Sequence, residues 1–318
     1  MRGFDEEFHN LDHYIRVITD RIWEGRQIER IRDYYSEECA VETPTTTSVG
    51  IDAVIRGTRD TLRQFPDRRL LAEDVIVSGD DMHGFLSSHR IFSPMTHAGE
   101  GVFGKPTGQT AYARTIADCV CKNNRIIHEW LVRDQSAIAK AIGVSPQVLA
   151  RQWLEKSDGK FRKQKAPPAP QGYVSVVEQG DIVDPYRDQW EQFWSRGADR
   201  SLVESSKNPL IAAVPGGRTL LGSAAVKDFW ASWRMDWLVD SFACEHLAIN
   251  RRVDRHDSLA MRWRVSAKYR GVGDMDLSKP RHDIEIMAIC HADVMEGEVI
   301  REWVLIDEIA LWMQILSR

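Results

Sequence analysis

The same phrase is spelled twice in this chain. Glu129-Trp130-Leu131-Val132-Arg133-Asp134 and Glu302-Trp303-Val304-Leu305-Ile306-Asp307 both read E-W-x-x-x-D, and each follows an apolar pair, Ile126-Ile127 or Val299-Ile300. From Glu129 to Glu302 the offset is 173. A second pair of segments, residues 47–54 and 219–226, matches at an offset of 172, with Gly50 corresponding to Gly222. Two matches in one order at nearly one offset predict a duplicated domain. Between the copies, residues 156–172 are basic, carry Pro167, Pro168 and Pro170, and lack periodic apolar residues, so they read as an extended, solvated linker. The expected organisation is a domain over 1–155, a linker over 156–172 and a more divergent second copy over 173–318.

Each copy opens with a helical pattern. Phe4, Phe8, Leu11, Ile15, Ile18 and Ile22 fall three or four apart and form one apolar stripe, with Gly25 as a stop. Tyr186, Trp190, Phe193 and Trp194 repeat the pattern before Gly197. A helix is expected after each matched glycine. Strand-like runs follow at 70–78, 83–92, 110–121 and 125–134, and again at 242–250, 259–269, 284–293 and 299–307. The fold class is therefore α+β: in each copy, helices first and then a four-strand antiparallel meander that they cover.

Composition narrows the function classes. The 42 Lys and Arg against 47 Asp and Glu give a net charge of −5, which offers no broad field for a phosphate backbone, so nucleic acid is not an expected partner. No run approaches the length of a membrane span, and the acidic start MRGFDEEFHN is not a secretory signal. Five cysteines without a C-x-x-C pair suit reduced thiols, which points to a cytoplasmic protein. There is no Walker loop, G-x-G-x-x-G or G-x-S-x-G, so nucleotide binding and serine hydrolysis gain no support.

The segment 96–108, THAGEGVFGKPTG, resembles the loop before the third strand in SnoaL-like polyketide cyclases, a family within the fold shared by nuclear transport factor two and ketosteroid isomerases. Ile127, Glu129, Trp130, Asp134, Ile138 and Ala141-Ile142-Gly143 resemble that family's last strand and following turn, and residues 33–42 with 50–54 resemble its earlier part. The resemblance covers most of residues 8–143. The second copy shares the layout and the E-W-x-x-x-D strand, but its loop at 271–280 lacks the P-T-G signature. The resemblance implies two tandem cones, each a curved antiparallel sheet wrapped by N-terminal helices around an interior pocket. It also implies pairing through the outer sheet faces, here within one chain as a pseudo-dimer, with a further homodimer open. Such scaffolds host several chemistries and inert binding modules, so fold alone does not fix function.

Candidate site residues follow from the resemblance and from chemistry. Asp134 lies on the strand where the cyclases carry an acid. Beside Trp130 in an apolar cavity its pKa would rise toward that of a general acid or base, although it could equally cap the next helix. Asp307 is its counterpart. His89 and His97 would orient or polarise a substrate. Tyr14, Glu42, Trp130 and Trp263 are expected to line a pocket, and Asp118 and His291 are polar positions in otherwise apolar strands. The small-residue face of the third strand, Ala113, Thr115, Ala117 and Cys119, suggests helices packing closely there. Val41-Glu42-Thr43-Pro44 matches the isomerases' V-E-D-P turn with Thr43 at the base position, and threonine cannot take a proton from carbon at neutral pH, so steroid isomerisation is disfavoured. No metal and no cofactor are expected. The leading expectation is a cofactor-independent enzyme using acid–base chemistry on a small carbonyl compound, of cyclase, isomerase, lyase or hydratase type. The alternative is a non-catalytic small-molecule-binding or assembly module.

Overall fold

The computed structural model describes residues 1–163, 165, 167–200, 209–271 and 283–318. The first half runs α1 (Leu11–Thr19), α2 (Ile31–Tyr34), β1 (Tyr35–Glu42), β2 (Thr47–Val49), α3 (Ile51–Gln64), β3 (Leu71–Asp80), β4 (Gly84–Thr96), β5 (Thr110–Lys122), β6 (Arg125–Arg133), α4 (Gln135–Ala141) and α5 (Pro146–Glu155). The second half repeats the plan with α6 (Val183–Arg196), β7 (Ile211–Val214), β8 (Arg218–Leu221), α7 (Ser223–Met235), β9 (Trp237–Asn250), β10 (Asp257–Tyr269), β11 (Asp283–Met295), β12 (Glu298–Ile306) and α8 (Glu308–Leu316). Among the described residues each half holds one six-stranded sheet, in the orders β2-β1-β6-β5-β4-β3 and β8-β7-β12-β11-β10-β9. The α+β class expected from the patterning is therefore the architecture found.

The meander of four was incomplete. Two short strands extend each sheet beyond it, and β1 joins β6 in parallel, as β7 joins β12, so neither sheet is wholly antiparallel. Tyr35–Glu42 mixes buried and half-exposed residues without strict alternation, which is why period-two reasoning passes over it. The first helix also starts later than its stripe. Asn10 accepts a bond from the His13 N–H and caps α1, leaving Phe4 and Phe8 to pack from the preceding turn.

Cross-strand partners share a sheet face, and the register divides the first sheet cleanly. One face carries His89 and Ile91, opposite Ala117 and Thr115, which oppose Leu131 and Arg133, with Cys119 opposite Glu129. This face lies under the helices: Ala117, Cys119 and Cys121 share a buried cluster with Leu11, Tyr14, Ile15 and Ile18. The other face carries Leu86, Ile116, Val120, Trp130 and Val132, and these pack against Met287, Ile289 and Leu305 of the second sheet. The two sheets thus meet back to back, helices outward.

A buried polar layer accompanies that contact. Asp118 is ion-paired with Arg262, which also reaches Glu245 at 3.0 Å and lies over the Trp130 ring. The ring nitrogens of His291 meet Ser88 Oγ at 2.8 Å and the Arg90 guanidinium at 3.2 Å, while His246 meets Ser78 Oγ at 2.9 Å. Part of the linker is docked rather than free: Lys163 pairs with Glu42 and Glu285, and the Phe161 N–H donates to Ser317 Oγ.

Candidate functional site

The helix-facing side of the first sheet does not close completely against its helices. It leaves a cavity of about 330 Å³, walled by Val41, Ile91, Ala117 and Leu131 from the sheet, Ala53, Val54 and Gly57 from α3, and Thr43, Thr45 and Thr46 from the turn after β1. Besides threonine and serine hydroxyls, its polar groups are Tyr35, Arg68, His89, Glu129, Arg133, Gln135 and Asp307. A smaller recess of about 260 Å³ shares His89, Ile91, Thr19 and Leu70 with it.

Glu129 projects from the middle of β6. The Tyr35 hydroxyl donates to its Oε2 at 3.1 Å. Burial pushes the carboxyl up to about 7, against the smaller opposing effects of that hydrogen bond and of Arg133. His89 is pushed the other way: burial holds its pKa down to about 4, so the imidazole is neutral at pH 7, with Nδ1 3.3 Å from Ser87 Oγ. Asp307 arrives from the second half of the chain. It caps α8, accepting from the N–H groups of Ile309 and Ala310, and its Oδ2 accepts from Gln135 Nε2 at 2.6 Å. Burial pushes Asp307 up to about 7 as well. One cavity therefore contains two carboxyls poised to give or take a proton near neutrality and a neutral imidazole.

Most of the residues singled out in the sequence lie elsewhere. Asp134 is the N-cap of α4: it accepts from Ser136 Oγ, from the Ala137 N–H, and from the N–H groups of Gly216 and Gly217 in the second half, and does not reach the cavity. Trp130 faces the second sheet beneath Arg262. Asp118 and His291 belong to the polar layer between the sheets. Glu42, on the same outer face as Trp130, is held by Arg264 and Lys163. Tyr14 is core: its hydroxyl donates to the Asn124 carbonyl, and its ring meets Phe4, Phe8 and Tyr34 edge-on. Trp263 is wholly buried in the second cone, with Nε1 donating to Cys290 Sγ.

His97 packs at a tilt against the Phe65 ring and meets Thr107 Oγ1 at 3.3 Å, away from the cavity. The loop that carries it is a packing device. The N–H groups of Ala98 and Gly99 donate to the Gln64 carbonyl, and a Cβ on Gly99 would lie 1.9 Å from the Arg63 oxygen. The second half's loop at 272–280 lies outside the described residues. Of the residues expected at a site, the structure brings His89 and Asp307 to the cavity.

Strand alternation puts Trp130 and Asp134 on one face of β6 and Glu129 and Arg133 on the other, and a shift of one residue turns every side chain to the opposite face. The neighbouring strand decides which face meets the cavity. Ala117 and Cys119, read as the helix-packing face, lie opposite Leu131 and Glu129, so Glu129 and Arg133 had to face the helices too.

Among the described residues no group of three His, Cys, Asp or Glu side chains is placed to hold a metal ion, and no helix is long and apolar enough to cross a membrane.

Residues 14–142 match the family model of the SnoaL-like polyketide cyclases. The second half carries no such match. No curated protein matches the chain. Similar solved structures include wild-type IdmH from Streptomyces antibioticus, at 19% identity over 43% of this chain and 100% of that one with a TM-score of 0.37. A SnoaL-like polyketide cyclase from Agrobacterium tumefaciens is 17% identical over 43% of this chain and 100% of its own, with a TM-score of 0.34. TsrD from Streptomyces laurentii is 15% identical over 41% and 92%, with a TM-score of 0.36.

Proposed function

We propose that the first domain's cavity is the reaction chamber of a cofactor-independent enzyme that moves a proton at carbon next to a carbonyl, the step common to cyclisation, isomerisation and lyase or hydratase reactions on such compounds. The observation that carries this reading is Glu129: a carboxyl buried in the wall of an open, mostly apolar cavity, with a pKa raised to about 7 by that burial. A base works best with a pKa near the operating pH. Glu129 takes the α-proton, Tyr35 fixes its orientation by the 3.1 Å hydrogen bond, and neutral His89 offers an N–H to the developing enolate oxygen. Asp307 is a second proton store at the far end of the wall. The roles expected for Asp134 and His97 pass to Glu129 and Asp307, which reach the cavity as they do not.

The test is exchange of α-protons into D2O for a panel of 1,3-diketones and β-keto esters, followed by NMR. Glu129→Gln should slow exchange by about 10²-fold or more while Asp134→Asn leaves it near the wild-type rate. Saturable binding of panel members with no exchange above buffer would sink the catalytic reading and leave a binding module.

A further inference from the structure

Two guanidinium groups share the cavity wall, and neither is paired. Arg68, in the turn between α3 and β3, is 6% exposed; its side chain makes no hydrogen bond or ion pair with the described residues, and its Nε is left without a partner. Arg133, at the end of β6, also lines the cavity and leaves its Nε unpartnered. The other buried arginines among the described residues each carry an ion pair, Arg200 with Glu302, Arg262 with Asp118 and Arg90 with Glu73, although the Nε of Arg200 is also without a partner. Burial, and after it the nearby charge of Arg133, pushes Arg68 well below the usual arginine range. Glu129 and Asp307 share the cavity with Arg133 and act on it by charge, but neither forms an ion pair with it or with Arg68. Two guanidinium groups on one wall without an ion-paired carboxylate are costly to take out of water.

We propose that the cavity takes a substrate bearing a carboxylate, whose oxygens Arg68 and Arg133 hold while the remainder lies along Val54 and Ile91 toward Glu129. This rests on reading the cavity as the reaction site. The planar guanidinium fork matches a planar carboxylate. A monoanion suits the site better than a phosphate dianion, whose second charge would sit beside Glu129 and Asp307. A volume of about 330 Å³ is near the lower end for ligand pockets, which calls for a small acid.

The test uses the full chain with ¹⁵N-labelled arginine, titrated with benzoate, 2-naphthoate and 4-oxo-4-phenylbutanoate and, separately, with their neutral primary amides. The acids should move the Nε–Hε signals of Arg68 and Arg133 and bind about tenfold or more tightly than the amides. Arg68→Met and Arg133→Met should each abolish that preference. Arg68→Lys and Arg133→Lys, which keep the charge, should keep part of it and serve where a Met variant fails to fold. Equal binding of acids and amides overturns the proposal, as does a preference that survives Arg133→Met. So does silence of both signals up to about 20 mM acid, weaker than any useful affinity, while a neutral diketone still exchanges its α-protons; that result leaves the reaction reading standing. Acid preference without turnover of any ketone supports the carboxylate site and removes the reaction reading instead.

Discussion

At the centre of the first cone β4 sets Ile91 opposite Thr115, and at the matching place in the second cone β10 sets Trp263 opposite Ala288. Two residues earlier on the same face, His89 corresponds to Met261. Trp263 packs with Trp190 and Trp194, and Trp230 closes on Trp190 from α7, so aromatic rings occupy what is open space in the first half. The repeated glutamate follows the same division. Glu129 keeps one neutral partner, Tyr35. Glu302 is fully buried, accepts from the Tyr186 hydroxyl at 2.7 Å and is paired with Arg200 at 2.8 and 3.0 Å. One strand motif therefore sets its glutamate against a void in the first cone and against a guanidinium in the second. What decides is the size of the residues facing it, not the motif.

The comparison breaks most visibly if the two glutamates are exchanged for glutamine. Glu129→Gln should cost proton transfer by about 10²-fold or more with the fold intact. Glu302→Gln leaves the Arg200 charge buried without its counter-ion, which typically costs about 3–5 kcal/mol, read by urea unfolding. Should Glu302→Gln abolish exchange and spare stability, the assignment of roles to the two cones is wrong.

Filling one cone and hollowing the other sharpens the same contrast. Trp263→Ala should destabilise by about 3–5 kcal/mol through the cavity it leaves, with exchange at 25 °C preserved in the folded fraction. Ile91→Trp should cost less than about 3 kcal/mol, because open volume is there to accept the ring, yet it should block substrate entry. An Ile91→Trp variant that keeps full activity would place the reaction outside this cavity.

Much of the architecture was legible because repetition and periodicity are local signals. The E-W-x-x-x-D repeat, the eight long strands and the leading helices could all be read along the chain. The site was not. Glu129 and Trp130 are adjacent, and which of them meets the cavity depends on which face the helices cover, a relation among β5, β6 and α1. Arg68 and Gln135 lie outside the strands and carry no local pattern. Asp307 reaches the first domain's cavity from 173 positions beyond Asp134, through sheet-on-sheet packing that no spacing in the sequence expresses.

Protonation supplies a third contrast, between the acids of the cavity and the histidines. Glu129 holds its proton to about pH 7 in the fold and to the usual 4.5 when unfolded. The folded state binds that proton more tightly, so the stability it lends is complete below pH 4.5 and fades as the pH rises through 7. His89, His128 and His246, all pushed by burial down to about 4, act in the opposite sense: their contribution is present above pH 6.5 and is lost as the pH falls toward 4. Glu129→Gln should therefore gain on the wild type between pH 4.5 and 7, by up to about 3 kcal/mol, and run parallel to it above 7. Urea midpoints at pH 5, 6, 7 and 8 decide this. A constant difference across that range would mean that Glu129 is ionised throughout.

The smallest effect separates the two helix-capping aspartates. Asp134 and Asp307 hold equivalent places after β6 and β12, and both cap the helix that follows. Asp134 spends both oxygens on Ser136, Ala137, Gly216 and Gly217, whereas Asp307 gives one oxygen to its helix and turns the other toward Gln135 at the cavity. An asparagine at 134 keeps one acceptor and presents an amide donor to N–H groups, so Asp134→Asn should cost about 1 kcal/mol and leave the pH–rate profile of proton exchange where it was. Asp307→Asn makes a similar change to a cap but removes a titrating group from the cavity wall. Its thermal stability should fall by no more than that of Asp134→Asn, because burial made the charged carboxylate unfavourable to begin with. Its pH–rate profile should lose the inflection near 7 that Asp307 adds to that of Glu129. Identical profiles for the two variants would confine Asp307 to capping and leave Glu129 as the group that titrates in the reaction.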